Sequence, residues 1–166
     1  MGMQLIETIE VGSGGAASIE FTGIPQDGVD LKLVVSARNT QAVIYSYLFL
    51  SFNGSSSNFS SRFLDGNGSI ADSGTWANAV VDNSVVGANA TANTFSNVQI
   101  YIPNYTSSNF KSISNDSVTE NNASTAYQQI HAGLWSNTAA ITSIGMTSGG
   151  NFVEFTTASL YKVTAD

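Results

Sequence analysis

The chain has 166 residues, one histidine and no cysteine, with five basic and twelve acidic side chains and a formal net charge of −7. That inventory excludes a disulfide framework and thiolate metal sites, disfavours a phosphate backbone as partner, and leaves few titratable groups for catalysis. The length fits a single domain over 1–166 whose core needs no covalent staple. Hydrophobic residues, at 42%, are in the globular range, whereas charged residues, at 10%, fall far below it, so solubility rests on neutral Asn, Ser and Thr.

Short alternating apolar runs, separated by loops of Ser, Asn, Thr and Gly, predict strands throughout. The first covers residues 4–11. A turn at Gly12-Ser13-Gly14-Gly15 leads to a second over 17–24, with Ile19 and Phe21 on one face and Ser18 and Glu20 on the other. Pro25-Gln26-Asp27-Gly28 is a further turn signal. Leu31, Leu33, Val35 and Ala37 then alternate with Lys32, Val34 and Ser36. The run 43–53 is apolar on both faces, with Tyr45, Tyr47 and Phe49 on one and Leu48, Leu50 and Phe52 on the other. Such a strand lies inside a sandwich or against a partner chain.

A short strand over 59–64 ends in Asp65-Gly66-Asn67-Gly68-Ser69. The stretch 76–86 has no decisive period, and 83–97 reads as a long polar loop. Val98, Ile100 and Ile102 mark a strand stopped by Pro103-Asn104. Further strands are expected over 110–118, after which the chain is polar to 125, and over 127–135, with Ile130, Ala132 and Leu134 as the apolar face. Runs at 140–146 and 152–163 complete a set of about nine to eleven strands with no helix. The class is all-β: a two-sheet antiparallel sandwich, jelly-roll-like. Its edge strands need cover, and with so few lysines the expected cover is an oligomer.

The chemistry-bearing residues are sparse. His131, opposite the apolar face of its strand, reads as a surface or interface histidine. No orienting carboxylate or nucleophile lies near it in sequence, and no Gly-x-Ser-x-Gly elbow exists. Asp65-x-Asn67-x-Ser69-x-x-Asp72 superficially resembles a calcium loop but lacks the distal bidentate Glu, so it reads as an ordinary turn. The acidic residues are scattered, with no motif pairing two of them for glycoside hydrolysis. No enzymatic activity, metal or cofactor is expected. Aromatic residues could stack on sugars or fill interfaces; Trp76 and Tyr105, in or beside polar loops, are the candidate glycan contacts. Tyr45, Tyr47, Leu48 and Phe49 form the candidate protein interface; Arg38 and Arg62, at strand ends, suit first a structural ion pair or a backbone contact at a loop, and as an alternative a contact to an acidic protein partner at that interface. Sequons at Asn53, Asn58, Asn67, Asn104 and Asn122 follow from the Asn- and Ser-rich composition.

Several segments carry a resemblance. Ile19-Glu20-Phe21-Thr22-Gly23-Ile24-Pro25, the stretch from Asp30 to Arg38, Phe52-Asn53-Gly54 with Asn58-Phe59-Ser60-Ser61-Arg62, Tyr101-Ile102-Pro103-Asn104-Tyr105, Gly133-Leu134-Trp135, and Gly150-Asn151-Phe152 leading to Ser159-Leu160-Tyr161 are similar to small virion structural proteins of tailed bacteriophages, especially marine ones. The resemblance implies a jelly-roll module of the kind found as capsid decoration proteins, fibres or tail appendages. The usual Leu-Tyr-Gly ending is Leu160-Tyr161-Lys162 here.

Four functional expectations follow, the last and weakest a cellular lectin with no phage connection. The first is a capsid decoration or cement protein that bridges neighbouring shell subunits. The second is a receptor- or glycan-binding module of a tail fibre. The third, an enzyme of polysaccharide breakdown, is disfavoured by the missing chemistry. The expected partners are the major capsid protein or other virion proteins, further copies of this chain in a trimer, and a glycan, with neither nucleic acid nor membrane. The expected location is the virion, after synthesis in the host cytoplasm. The expected trimer seam is the two-faced strand at 43–52, so that Leu48→Asp would dissociate it.

Overall fold

The computed structural model describes residues 2–77, 81–122 and 125–165, with the backbone alone over 81–84. The alternating runs become β1 (Gly2–Glu10), β2 (Ala16–Phe21), β3 (Asp30–Ser36), β4 (Tyr45–Phe52), β5 (Phe59–Gly66), β6 (Ala71–Ala77), β7 (Val81–Val86), β8 (Asn97–Ile102), β9 (Lys111–Val118), β10 (Gln128–Trp135), β11 (Ile144–Phe152) and β12 (Thr157–Thr164). These 12 strands form two sheets, and every ladder between them is antiparallel. The larger runs β1-β12-β3-β8-β9-β10-β5-β6 and the smaller β2-β11-β4-β7. No helix occurs among the described residues.

The strand order resolves into a frame and an addition. β1-β12-β3-β8 over β2-β11-β4-β7 is the eight-strand double Greek key of a jelly roll. Two hairpins interrupt it: β5-β6 between β4 and β7, and β9-β10 between β8 and β11. Both add to the free side of β8, and β10 pairs with β5, so the larger sheet gains a four-strand extension.

Between the sheets the frame is apolar. Leu31, Leu33, Val35, Val98, Ile100 and Ile102 of the larger sheet pack against residues such as Phe21, Leu48, Leu50 and Met146 of the smaller. Phe52 meets Phe59 and Trp135 edge-on, with centroids 5.2 and 5.3 Å away. Those three rings join the frame to the start of β5 and the end of β10.

Loop conformation follows local chemistry. Asn53, Asn58, Asn104 and Asn122 all sit at positive φ, which Asn tolerates better than most residues. The Asn53 side chain accepts from the amides of Thr142 (2.8 Å) and Ser143 (3.2 Å) and donates to the carbonyl of Ala140 (2.8 Å). Its sequon is therefore an internal staple between two loops. Asn67 accepts from the amides of Ser69 and Ile70 at the β5–β6 turn, which uses the oxygen that a calcium loop would need.

Three expectations change. The polar loop begins at Gly87 rather than at 83, because the backbone through Val86 pairs with β4. The stretch 76–86 contains the end of β6 and all of β7; residues 78–80 lie outside the described residues, as do 123–124 of the polar stretch before Tyr127. The sidedness of β10 is the reverse of that expected. His131 is buried at 5% exposure, together with Gln129, whereas Ile130 is 50% exposed. The inner face of β9 carries Asn115 and Ser117, also buried. The buried polar residues of these two strands lie where β7 packs across the sheet.

Candidate functional site

Reversal of β10 leaves apolar side chains on the outer face of the extension, and there the sheet carries a groove of about 640 Å³. Register explains its shape. One row across the sheet reads Lys32, Tyr101, Ser114, Ala132, Arg62, each residue the cross-strand partner of the next. The next row reads Gln99, Asp116, Ile130, Leu64. Ser114 and Ala132 are short, so they make a floor. Tyr101 and Lys32 rise on one side, and Arg62 and Leu64 on the other. Five strands at ~4.8 Å spacing give the row a length of roughly 19 Å.

The walls are fixed from behind. Tyr101 donates its hydroxyl proton to Asp30, which also accepts from the amide of Asn104 at 2.8 Å. That hydrogen bond, then burial and the Asp30 charge, push the Tyr101 pKa up, so the ring stays a neutral phenol. Asp116 lies in the second row, within long reach (3.4 Å) of the Gln128 amide. The lining is mostly apolar with a few convergent polar groups, and its volume falls in the range of small-ligand sites, ~300–1,000 Å³.

The basic residues divide into two groups. Arg38 donates to the carbonyls of Ala88, Ala90, Thr91 and Thr94 at 2.8–3.2 Å and ties down the loop after β7. Lys111 is buried, donates to the carbonyls of Ser107 (2.7 Å) and Ala139 (2.6 Å), and stands 5.5 Å from the Trp135 ring centroid. Burial lowers its pKa. Lys162 pairs with Asp27 at 2.7 Å and holds that carboxyl below its usual value. Among the described residues, Lys32 and Arg62 make no ion pair or hydrogen bond through their side chains, and both line the groove.

The other candidate residues separate. Tyr105 is not a ligand contact: it is fully buried, its hydroxyl donating to the carbonyl of Pro25 and accepting from the Gly28 amide at 3.2 Å. A Cβ on Gly28 would come within 3.1 Å of that hydroxyl, so glycine admits the ring. Leu48 is 1% exposed, in the core rather than at an interface. Tyr45, Tyr47 and Phe49 lie on the opposite side of β4, half-buried or exposed. Tyr45 packs on Tyr127 at 4.6 Å, and Tyr47 packs on both Phe49 and Trp76. Trp76 is 37% exposed at the β6 edge, with its ring 6.3 Å from that of Phe63 and outside the groove. Arg38 has the backbone role that its position allowed, and Arg62 alone of the named residues is in the groove.

Sequence reasoning missed Lys32, Gln99, Asp116, Ile130 and Leu64 as a set. Each strand contributes one or two of them, and only the register of distant strands aligns them. No group of three or more His, Cys, Asp or Glu side chains suited to a metal occurs among the described residues. No family model, curated protein or solved structure matches the chain.

Proposed function

We propose that the protein is a structural component of a tailed-phage virion, a capsid decoration protein that binds the outer shell and stabilises it by bridging neighbouring subunits. The observation that carries this reading is the uncovered edge of β1. Seven of its nine residues are exposed, and its outer side pairs with no strand among the described residues. Met3 and Leu5 are exposed along it. Beyond its far end stands Phe155, exposed, at φ 68° and with its amide bonded to Val11. A bulky residue held at positive φ is strained, and strain of this kind gathers at contact sites. A long edge that no strand covers, with apolar side chains exposed beside a bulge at Leu5/Glu7, is open to a partner. A ligand of the assembled shell alone stabilises it by mass action, and repetition on a lattice multiplies a modest contact.

In this reading the β1 edge is the shell contact, and the proposed trimer forms through another surface. The seam cannot run through Leu48, which the core already uses. A second reading, a receptor- or glycan-binding module of a tail appendage, is favoured by the groove and its two uncommitted cations. Quantitative mass spectrometry of purified virions separates the two. Hundreds of copies per particle support decoration, a few to a few dozen support an appendage, and absence from particles overturns both.

A further inference from the structure

We propose that the groove on the outer face of β3, β8, β9, β10 and β5 is a binding site for an acidic glycan, a saccharide chain bearing uronate or sulfate groups. The inference rests on the reading of this protein as a binding module and is independent of whether it sits on head or tail.

Charge gives the first argument. In a chain of net charge −7, three of the five basic side chains are committed to internal partners. The two that remain stand at opposite ends of one row, Lys32 on β3 and Arg62 on β5. An overall negative protein that keeps its two uncommitted cations in one groove is complementary to an anionic ligand there. Nearby negative charge limits the ligand. Asp30 keeps its charge but spends its acceptor oxygens on Tyr101 and Asn104 and does not line the groove. Asp116 lies between the two cations in the second row and would repel a compact polyanion. The ligand's anionic groups therefore belong at the two ends, with neutral hydroxyls in the middle for Asp116 to accept.

The floor gives the second argument. β8, β9, β10 and β5 each have a strand on both sides, so their backbone amides and carbonyls are used in ladders. A peptide could not add here as a strand, and recognition falls to side chains. Those side chains alternate flat apolar surfaces (the Tyr101 ring, Ile130, Leu64) with short polar groups (Gln99, Ser114, Asp116). A sugar ring presents a C–H face and a hydroxyl edge, which suit that alternation. A length of roughly 19 Å between the cationic ends fits an oligosaccharide better than a single sugar.

The test is titration calorimetry of the purified full-length protein with an oligogalacturonate of about four residues, sized to that row. The methyl-esterified oligomer and poly-glutamate of similar length serve as controls. The expected result is binding of the free acid that weakens with salt, with at least about tenfold weaker binding of the ester. Arg62→Gln and Lys32→Gln should each weaken it severalfold. Both side chains face out of the sheet, so circular dichroism should show both variants folded, and Trp76→Ala, outside the groove, should leave binding unchanged. Equal affinity for acid and ester would overturn the anionic assignment, and binding of neither would overturn the glycan site. Poly-glutamate that binds and displaces the uronate would transfer the groove to an acidic protein partner. Virion copy number is read separately, so failure of this site and failure of the virion reading remain distinguishable.

Discussion

The jelly-roll half of the larger sheet and its four-strand extension share one continuous hydrogen-bond ladder but differ in how apolar the inward face is. In β3 and β8 the inward residues are Leu31, Leu33, Val35, Val98, Ile100 and Ile102. In β9, β10 and β5 they mix Phe59, Ile113 and Trp135 with Asn115, Ser117, Gln129, His131 and Asp65, while Ile130 and Leu64 point out. A strand's sidedness is thus decided by what covers each face. The smaller sheet's apolar face covers the frame, whereas the extension has β7 across a polar inner side and an open groove on its outer side. Exposed apolar residues gathered in a concavity call for an explanation that scattered ones do not.

The largest expected effect tests the frame. Leu48→Asp buries an unpaired charge in the core and should cost more than ~4 kcal/mol, enough to abolish the cooperative melt. If the variant instead folded and merely lost oligomers in a sedimentation run, Leu48 would be at an interface and the frame's packing would be wrong.

Arg38→Ala comes next, at about 2 kcal/mol, because several carbonyls lose a charged donor. Hydrogen exchange should quicken across residues 87–96 and remain unchanged in β9 and β10. Uniform quickening would show that the loop is not a separate unit.

A smaller effect concerns alkali. A hydrogen bond to Tyr45 and then burial push the Tyr127 pKa up to about 12, whereas an unfolded tyrosine ionises near 10. Between those values the folded state holds more protons, so this contribution is complete below pH 10 and is lost as pH rises through 12. Tyr101 and Tyr105 act in the same direction. Lys111 opposes them, since its lowered pKa gives stability that grows as pH rises toward 10.5. Tyr127→Phe should flatten the alkaline fall in Tm; a curve parallel to the wild type would remove Tyr127 from the account.

The smallest change sharpens the comparison most. Ile130→Thr on the outer face should shift stability by within ~0.5 kcal/mol, although Ile130 belongs to the most apolar face of its strand. A core-sized loss would mean that the face is covered and the groove closed.

These contrasts also explain what the sequence made legible. Leu31, Leu33 and Val35 announce both a strand and its inner face, because an apolar sheet lies opposite. Tyr127 to Trp135 announces a strand equally well and misreports its orientation, because the covering strand β7 is supplied from elsewhere in the chain. β6 gave no pattern since nearly all its residues are exposed, so alternation has nothing to report. Arg62 was legible as a cation suited to an ion pair, a loop contact or a protein partner, but its place within β5 in line with Lys32 depends on four consecutive strand registers, which local sequence does not encode. Tyr105 looked accessible beside a polar loop, and only the close approach permitted by Gly28 reveals it as a buried strut.

The pairing of β10 with β5 has a consequence for time. Their partners, such as Arg62 and Ala132, are far apart in sequence and belong to two separate hairpins. Closing that seam costs least once the frame has drawn the hairpins' roots together, since long-loop closure is then already complete. The groove would thus be the last part of the molecule to assemble and the first to open. Insertions or exchanges in the two hairpins would then reshape the groove while the eight-strand frame stays intact.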